Sequence, residues 1–264
     1  MHASTFDRYE TGDSPIHRLD ARVKVVVTVL FILSNVLLPD GAWLAFLLAW
    51  ALVLAVNLLA RLKWSYALKR SFIALPFALA AVTVIFTLPG QPVFRLNVGP
   101  WQWLATDAGL IRFASIVIRS WLSVQLAILL TATTQFSDLM HALRHLHVPQ
   151  LLVAVISFMY RYLFVLADES MRLMRAREAR SARPVGAGRS GGTLLWRARV
   201  AGHMVGQLFL RSYERSDRVY NAMLARGYRG HFFTLNPHVM RPSDWLIAAA
   251  AVAALLLLQL IGYI

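Results

Sequence analysis

RSYERSDRVYNAMLARGYRG, residues 211–230, is a charged stretch that reads as helix until it closes on Ala225-Arg226-Gly227. Arginine in a last turn is favoured by the helix dipole, and glycine is the common residue of the left-handed cap, so this ending alone describes an ordinary helix stop. An upstream counterpart, RAREARS at 175–181, closes on Ala179-Arg180-Ser181. Two such endings in one basic region, each with an exposed fork of guanidinium donors, also suit paired plugs for acidic grooves on a partner. Local chemistry leaves both readings open.

The setting of these endings decides the fold. Of 264 residues, 58% are hydrophobic and 15% charged, the composition of an integral membrane protein. The formal net charge is +14, and fifteen arginines between Arg161 and Arg241 face only Asp168, Glu169, Glu178, Glu214 and Asp217. Ten of the fourteen charges therefore lie in one window. In an apolar chain such a window marks a loop held in the cytoplasm rather than a nucleic-acid site. Stacking aromatics within 211–230 are limited to Tyr213, Tyr220 and Tyr228, and anionic lipid explains arginine near a membrane more simply. The absence of cysteine removes disulfides, thiolate nucleophiles and cysteine metal sites.

Working outward gives an all-α integral membrane protein with five transmembrane helices, an interfacial segment and cytoplasmic helices. Residues 1–131 form a domain of four spans at about 23–38, 43–60, 72–88 and 109–131. Residues 132–243 form a cytoplasmic and interfacial domain, and residues 244–264 the fifth span. Asp7, Glu10, Asp13 and Asp20 make the first twenty residues unlike a cleavable signal, so the first span is expected to direct insertion. Asp20 is its expected cap, and Pro39-Asp40-Gly41 turns it into the second span. Arg61, Lys63, Lys69 and Arg70 hold the next loop, and with it the N-terminus, in the cytoplasm; Pro76 is expected to kink the third span. Residues 89–107, rich in Pro and Gly with two Trp, read as an external loop with an interfacial aromatic belt. Asp107 is the expected cap of the fourth span.

Arg112 and Arg119 lie seven residues apart on one face of that span. Exposing each to lipid would cost at least about 2.5 kcal/mol, so the face should point into the bundle or snorkel outward. Packing and anchoring, or a polar surface for a membrane partner, both fit. The run 136–147 is too short to span, and 151–166 is apolar with Arg161 inside it. A crossing there would place the basic window outside, so 151–166 is expected to lie along the cytoplasmic interface. A helix from about Asp168 to Arg183 and one from Leu194 to Arg226 should follow, joined by the flexible PVGAGRSGG at 184–192. The second places Trp196, Val200, Met204, Leu208, Val219 and Met223 at helical spacings. The C-terminus is then external.

Chemistry-bearing motifs are few. His141 and His145, at i and i+4 with His147 nearby, are weak metal-ligand candidates because only Asp138 could join them. No phosphate loop, HExxH or nucleophile elbow occurs, so no catalytic residue is assigned. Glu214 interleaved with Arg211 and Arg218 reads as salt-bridged surface.

Four stretches carry a family likeness: SPIHRLDARVK at 14–24, TATTQFSDLMHALRHLHVP at 131–149, and the two arginine-ended regions. Together they resemble the transmembrane T components of energy-coupling factor transporters. MYRYLFVLADES at 159–170 and residues 211–230 are most similar to the cobalt-type, CbiQ-like branch. The resemblance implies a non-catalytic subunit of the bacterial plasma membrane. It would join a membrane-embedded capture subunit for cobalt or nickel to two cytoplasmic ABC-type ATPases, which alone bind ATP and Mg. By residue match Arg180 and Arg226 would enter ATPase grooves, with Ala179, Ser181, Ala225 and Gly227 permitting close approach; Arg112, Arg119, Arg211, Glu214 and Arg218 are subunit-interface candidates. The match at Ser181 is looser, since glycine also occurs there in the family. The alternatives are a T subunit for vitamin uptake, or a histidine-based permease or membrane enzyme acting alone.

Overall fold

The structure, a computed structural model, describes residues 9–74, 76, 80–98, 101–180, 193–230 and 240–264. Its architecture is that of an all-α membrane protein, to which a small β-hairpin is attached. Two compact units divide it: residues 1–146 with 238–264, and residues 147–237.

The first unit opens with α1 (Pro15–Arg18) and α2 (Ala21–Leu37), followed by α3 (Trp43–Leu59) and α4 (Trp64–Ser71). A 3-10 turn (Phe72–Ala74) and α5 (Val84–Thr87) precede β1 (Pro92–Val98) and β2 (Trp101–Thr106); α6 (Asp107–Thr133), α7 (Phe136–His145) and α10 (Pro242–Tyr263) complete the unit. The second unit holds α8 (Gln150–Arg180) and α9 (Leu194–Ala225). By length and composition α6, α8 and α10 could each cross a membrane, and α3 is a shorter apolar helix.

Asp20 caps α2 as expected, its carboxylate accepting the Arg22 amide at 2.8 Å. The core joins four helices: Phe31 of α2, Ala45, Phe46, Ala49 and Val53 of α3, Leu122, Leu126 and Leu129 of α6, and Leu255 and Leu258 of α10. In lipid, apolar side chains gain little by leaving the solvent, so association rests on close packing and polar bonds between helices. Ala45 and Ala49 supply the close approach, at 1% and 0% exposure. The polar bonds run from the Asn35 amide to the Arg119 carbonyl at 2.9 Å and from the Gln259 amide to the Ser34 carbonyl at 2.6 Å.

Lys24 has a role that the charge rule did not reveal. Its buried ammonium donates to the carbonyl of Thr133, the last residue of α6, at 2.9 Å, and to the His17 carbonyl at 3.3 Å. A cation against the final carbonyls satisfies acceptors that the helix leaves open. The 14–24 signature therefore caps α6 as well as starting α2.

Four expectations need correction. Residues 92–106 form a hairpin rather than an irregular loop, with Val98 opposite Trp101 and a bulge between Pro92 and Phe94; aromatic and branched residues outweighed the flanking Pro and Gly. The cap of α6 is Thr106, whose hydroxyl accepts the Gly109 amide at 3.2 Å, while Asp107 accepts from Gln91 and Ala108. Residues 72–88 are not one helix among the described residues: a 3-10 turn precedes Pro76, which can neither donate an amide hydrogen nor fit beneath the preceding turn. The 151–166 segment and the helix expected from Asp168 are one element, α8, because Val165-Leu166-Ala167-Asp168 contains no breaker.

Gly109 tests the packing of α6. A Cβ there would stand 2.5 Å from the Ile85 carbonyl oxygen and 2.9 Å from its Cα, both backbone atoms. Gly109→Ala should destabilise the full chain by about 1–3 kcal/mol, seen as a lower thermal midpoint in detergent. Gly262→Ala, whose added carbon is crowded by the end of the Leu38 side chain and touches Ala45 and Pro39 at ordinary contact distance, should cost less.

Candidate functional site

Helices α8 and α9 pack on each other, and the face of α9 expected from periodicity is partly covered. Val200, Met204, Leu208, Val219 and Met223 of α9 are all half-buried. Trp196 is the exception, exposed at the start of the helix. The strongest tie is polar: the Arg211 guanidinium of α9 donates to Glu169 of α8, and Arg172 approaches the other carboxylate oxygen at 3.5 Å. Glu169 is only 8% exposed, so a buried carboxylate is balanced by cations from both helices.

This corrects the pairing read from spacing. Arg211 meets Glu169, forty-two positions away, rather than Glu214. Glu214 pairs instead with Arg218 at 3.8 Å, both side chains more than half exposed, which makes it a solvated surface contact of little energetic weight. The signal that could have found the tie was an acid, Glu169, standing just after sixteen apolar-rich residues with no arginine one turn before it.

The helix ending at Arg226 is a complete Schellman motif. The Gly227 amide donates to the Leu224 carbonyl at 2.9 Å and the Tyr228 amide to the Met223 carbonyl at 3.0 Å. Gly227 takes φ 81°, the left-handed backbone that glycine adopts without strain, and open space surrounds it where a side chain would be. Arg226 is thereby fixed as the cap residue, with its side chain exposed. Ala225 is the last residue of α9, and Ala179 and Arg180 are the exposed last residues of α8. Ser181 and the 184–192 link lie outside the described residues.

The second unit also displays apolar surface. On α8, Leu152, Val155, Met159, Leu163 and Leu166 recur at three- and four-residue intervals and are all exposed. Val205, Phe209 and Leu210 of α9 are exposed as well.

Other candidates fall in the first unit. Arg119 donates to Asp40 at 2.8 Å and to the Leu38 carbonyl at 2.6 Å, and Arg112 lies 3.7 Å from the same carboxylate. The two arginines thus clamp the turn between α2 and α3, an anchoring role. His141 meets Arg22, with 3.1 Å between Nη2 and Nε2, and its ring meets His145 edge-on at 4.6 Å. Burial, then the Arg22 and Arg144 charges, lower the His145 pKa from its ordinary value. The Arg22 guanidinium beside His141 is an unfavourable neighbour for a metal cation. Among the described residues no group of three or more His, Cys, Asp or Glu could hold a metal ion.

A helical membrane bundle with a basic two-helix unit ending on exposed arginines defines the class. Residues 12–238 match the cobalt transport protein family CbiQ, and the chain belongs to that family. An uncharacterised protein of Methanocaldococcus jannaschii is 28% identical over 259 residues, covering 96% of this chain and 85% of its own. A protein of Lacticaseibacillus paracasei named energy-coupling factor transporter transmembrane protein EcfT is 28% identical over 253 residues, with 91% and 92% covered. Its namesake in Lactococcus lactis subsp. cremoris is 30% identical over 240 residues, with 87% and 86% covered.

Proposed function

We propose that this chain is the transmembrane T subunit of an energy-coupling factor importer, a scaffold without catalysis of its own. Two cytoplasmic ATPases would bind ATP and Mg, and a membrane capture subunit would hold the substrate, cobalt first and nickel second. The family membership and the relatives named EcfT support the subunit class; the family description supports a metal cargo. The observation that carries the coupling role is the α8–α9 pair, tied at Glu169–Arg211 and ending on exposed Arg180 and Arg226.

In this reading, ATP draws the ATPases together and their grooves carry Arg180 and Arg226 with them. The crossing of α8 and α9 changes about its tie, and the exposed apolar stripe from Leu152 to Leu166 passes that change to the capture subunit. Residues 132–243 lie on the cytoplasmic side, α8 does not cross, and the C-terminus is external after five crossings, made by α2, α3, the segment 72–88 that is not one helix among the described residues, α6 and α10. Because the chain has no cysteine, a Ser190→Cys variant reports topology without background. It should be protected from an impermeant thiol reagent added outside intact cells; labelling from outside would mean that α8 crosses.

Reconstitution tests the function itself. The chain alone should move no metal across proteoliposomes, whereas the chain with the ATPase pair and capture subunit should do so when ATP is present. Transport by the chain alone would favour a permease. Replacing His141 and His145 together by Gln should leave ATP-driven uptake within about twofold, since among the described residues they belong to no group of three or more metal-type ligands.

A further inference from the structure

A cleft of about 490 Å³ in the first unit is lined by Asp13, Pro15, Arg18, Leu19, Arg61, Arg241, Ser243, Asp244 and Ile247. Three arginines from three separate elements meet there: Arg18 at the end of α1, Arg61 just past α3, and Arg241 at the start of α10. Both acids are already committed. Asp13 accepts two hydrogen bonds from Arg18, each at 2.6 Å, and that guanidinium holds its carboxyl below the usual carboxylate range. Asp244 is buried, and its carboxylate accepts the Arg241 amide at 2.9 Å. Among the described residues no carboxylate lies within ion-pair distance of the Arg61 or Arg241 guanidinium. The cleft therefore offers two cationic forks that the fold leaves available, beside the N-terminus of a long helix.

The backbone at Arg61 is a second, independent observation. Arg61 takes φ 55°, the left-handed position that glycine favours at a helix end. Its amide donates to the Leu58 carbonyl at 3.0 Å and the Leu62 amide to the Asn57 carbonyl at 3.4 Å, the same closing pattern seen at Gly227. The turn thus places an arginine where chain closure alone would be served better by glycine. What the arginine adds is its side chain in the cleft.

The walls indicate the rest of the ligand. Pro15, Leu19 and Ile247 give the cleft an apolar side. Leu58 and Leu59, within three residues of Arg61, and Trp245 and Leu246, next in the chain after Asp244, are exposed apolar side chains, Trp245 at 65%. Tryptophan beside arginine at the end of apolar helices is the pattern of a membrane–water boundary. The charge rule puts this boundary on the cytoplasmic side, where anionic lipids are found.

We propose that this cleft binds a phosphate group, held by Arg61 and Arg241, with an anionic phospholipid headgroup as its source and the acyl chains lying against α3 and α10. The site is separate from the α8–α9 unit and does not depend on the transport reading. Native mass spectrometry of the delipidated full chain in detergent tests it, with added phosphatidylglycerol, phosphatidylcholine, or inorganic phosphate alone.

Phosphatidylglycerol should be retained at least fivefold better than phosphatidylcholine. Arg61→Gly should lower that retention fivefold or more while leaving the thermal midpoint unchanged or raised, because glycine relieves the left-handed residue. Arg241→Gln should lower it comparably. Inorganic phosphate that displaces the lipid, with the same arginine dependence, would support the phosphate site and identify a free anion as a competing source. Equal retention of the two lipids, or retention unchanged in both variants, would overturn the proposal.

Discussion

Arg226→Glu is expected to lower ATP-driven uptake by about a hundredfold or more and to prevent co-purification with the ATPase pair. Reversing a charge docked in an acidic groove removes a hydrogen-bonded ion pair and sets like charges together, a loss of about 2–5 kcal/mol. The effect on this chain alone should be small. Arg226 is exposed, and the cap is made by the backbone of Gly227 and Tyr228 rather than by the arginine side chain. A carboxylate at a helix C-terminus opposes the dipole by only about 0.3–1 kcal/mol. Membrane insertion and the thermal midpoint should therefore change little, which separates a coupling defect from misfolding. Arg226→Lys should be intermediate, since it keeps the charge and loses the planar fork. Unchanged transport in Arg226→Glu would sink the coupling role of this arginine.

Reversal of Arg211 should be nearly as damaging, by a different route. In Arg211→Glu a second carboxylate faces buried Glu169, and breaking such a pair costs about 3–5 kcal/mol. The expected outcome is separation of α8 from α9, with increased proteolysis within 150–226 and loss of ATP-driven uptake. The double reversal, Glu169→Arg with Arg211→Glu, should recover at least part of both. That recovery distinguishes a specific pair from general surface charge. If the double variant is no better than either single one, the tie between the helices is not the pair.

Much of this could be read from the residues. The start of α2 and the turn from α2 into α3 follow apolar runs bounded by Asp20 and Pro39-Asp40-Gly41, and the Arg226-Gly227 ending closes as its composition implied. The hydrophobic stripe of α9 was legible because 3.6-residue periodicity is a local property. Long-range partnerships were not. Nothing local to Lys24 pointed to Thr133, Arg112 and Arg119 gave no hint of sharing Asp40, and Arg211 had an acid at i+3 that spacing favoured over Glu169. Each of those pairings depends on which helices are neighbours, which local pattern does not encode. The hairpin was missed for the opposite reason: its local signals conflicted, with strand formers between Pro89-Gly90 and Gly99-Pro100.

If the ATPases couple through Arg180 and Arg226, nucleotide should move the arginine-bearing ends of α8 and α9. The absence of native cysteine allows two spin labels, at Glu178→Cys and Ala222→Cys, both exposed and close to those ends. In the complex with the ATPase pair, pulsed electron paramagnetic resonance should give one distance distribution without nucleotide and a shifted one with a non-hydrolysable ATP analogue. The shift should vanish when Arg226 is also changed to Glu. A distribution that stays the same with and without nucleotide, in a complex that still transports, would contradict the account.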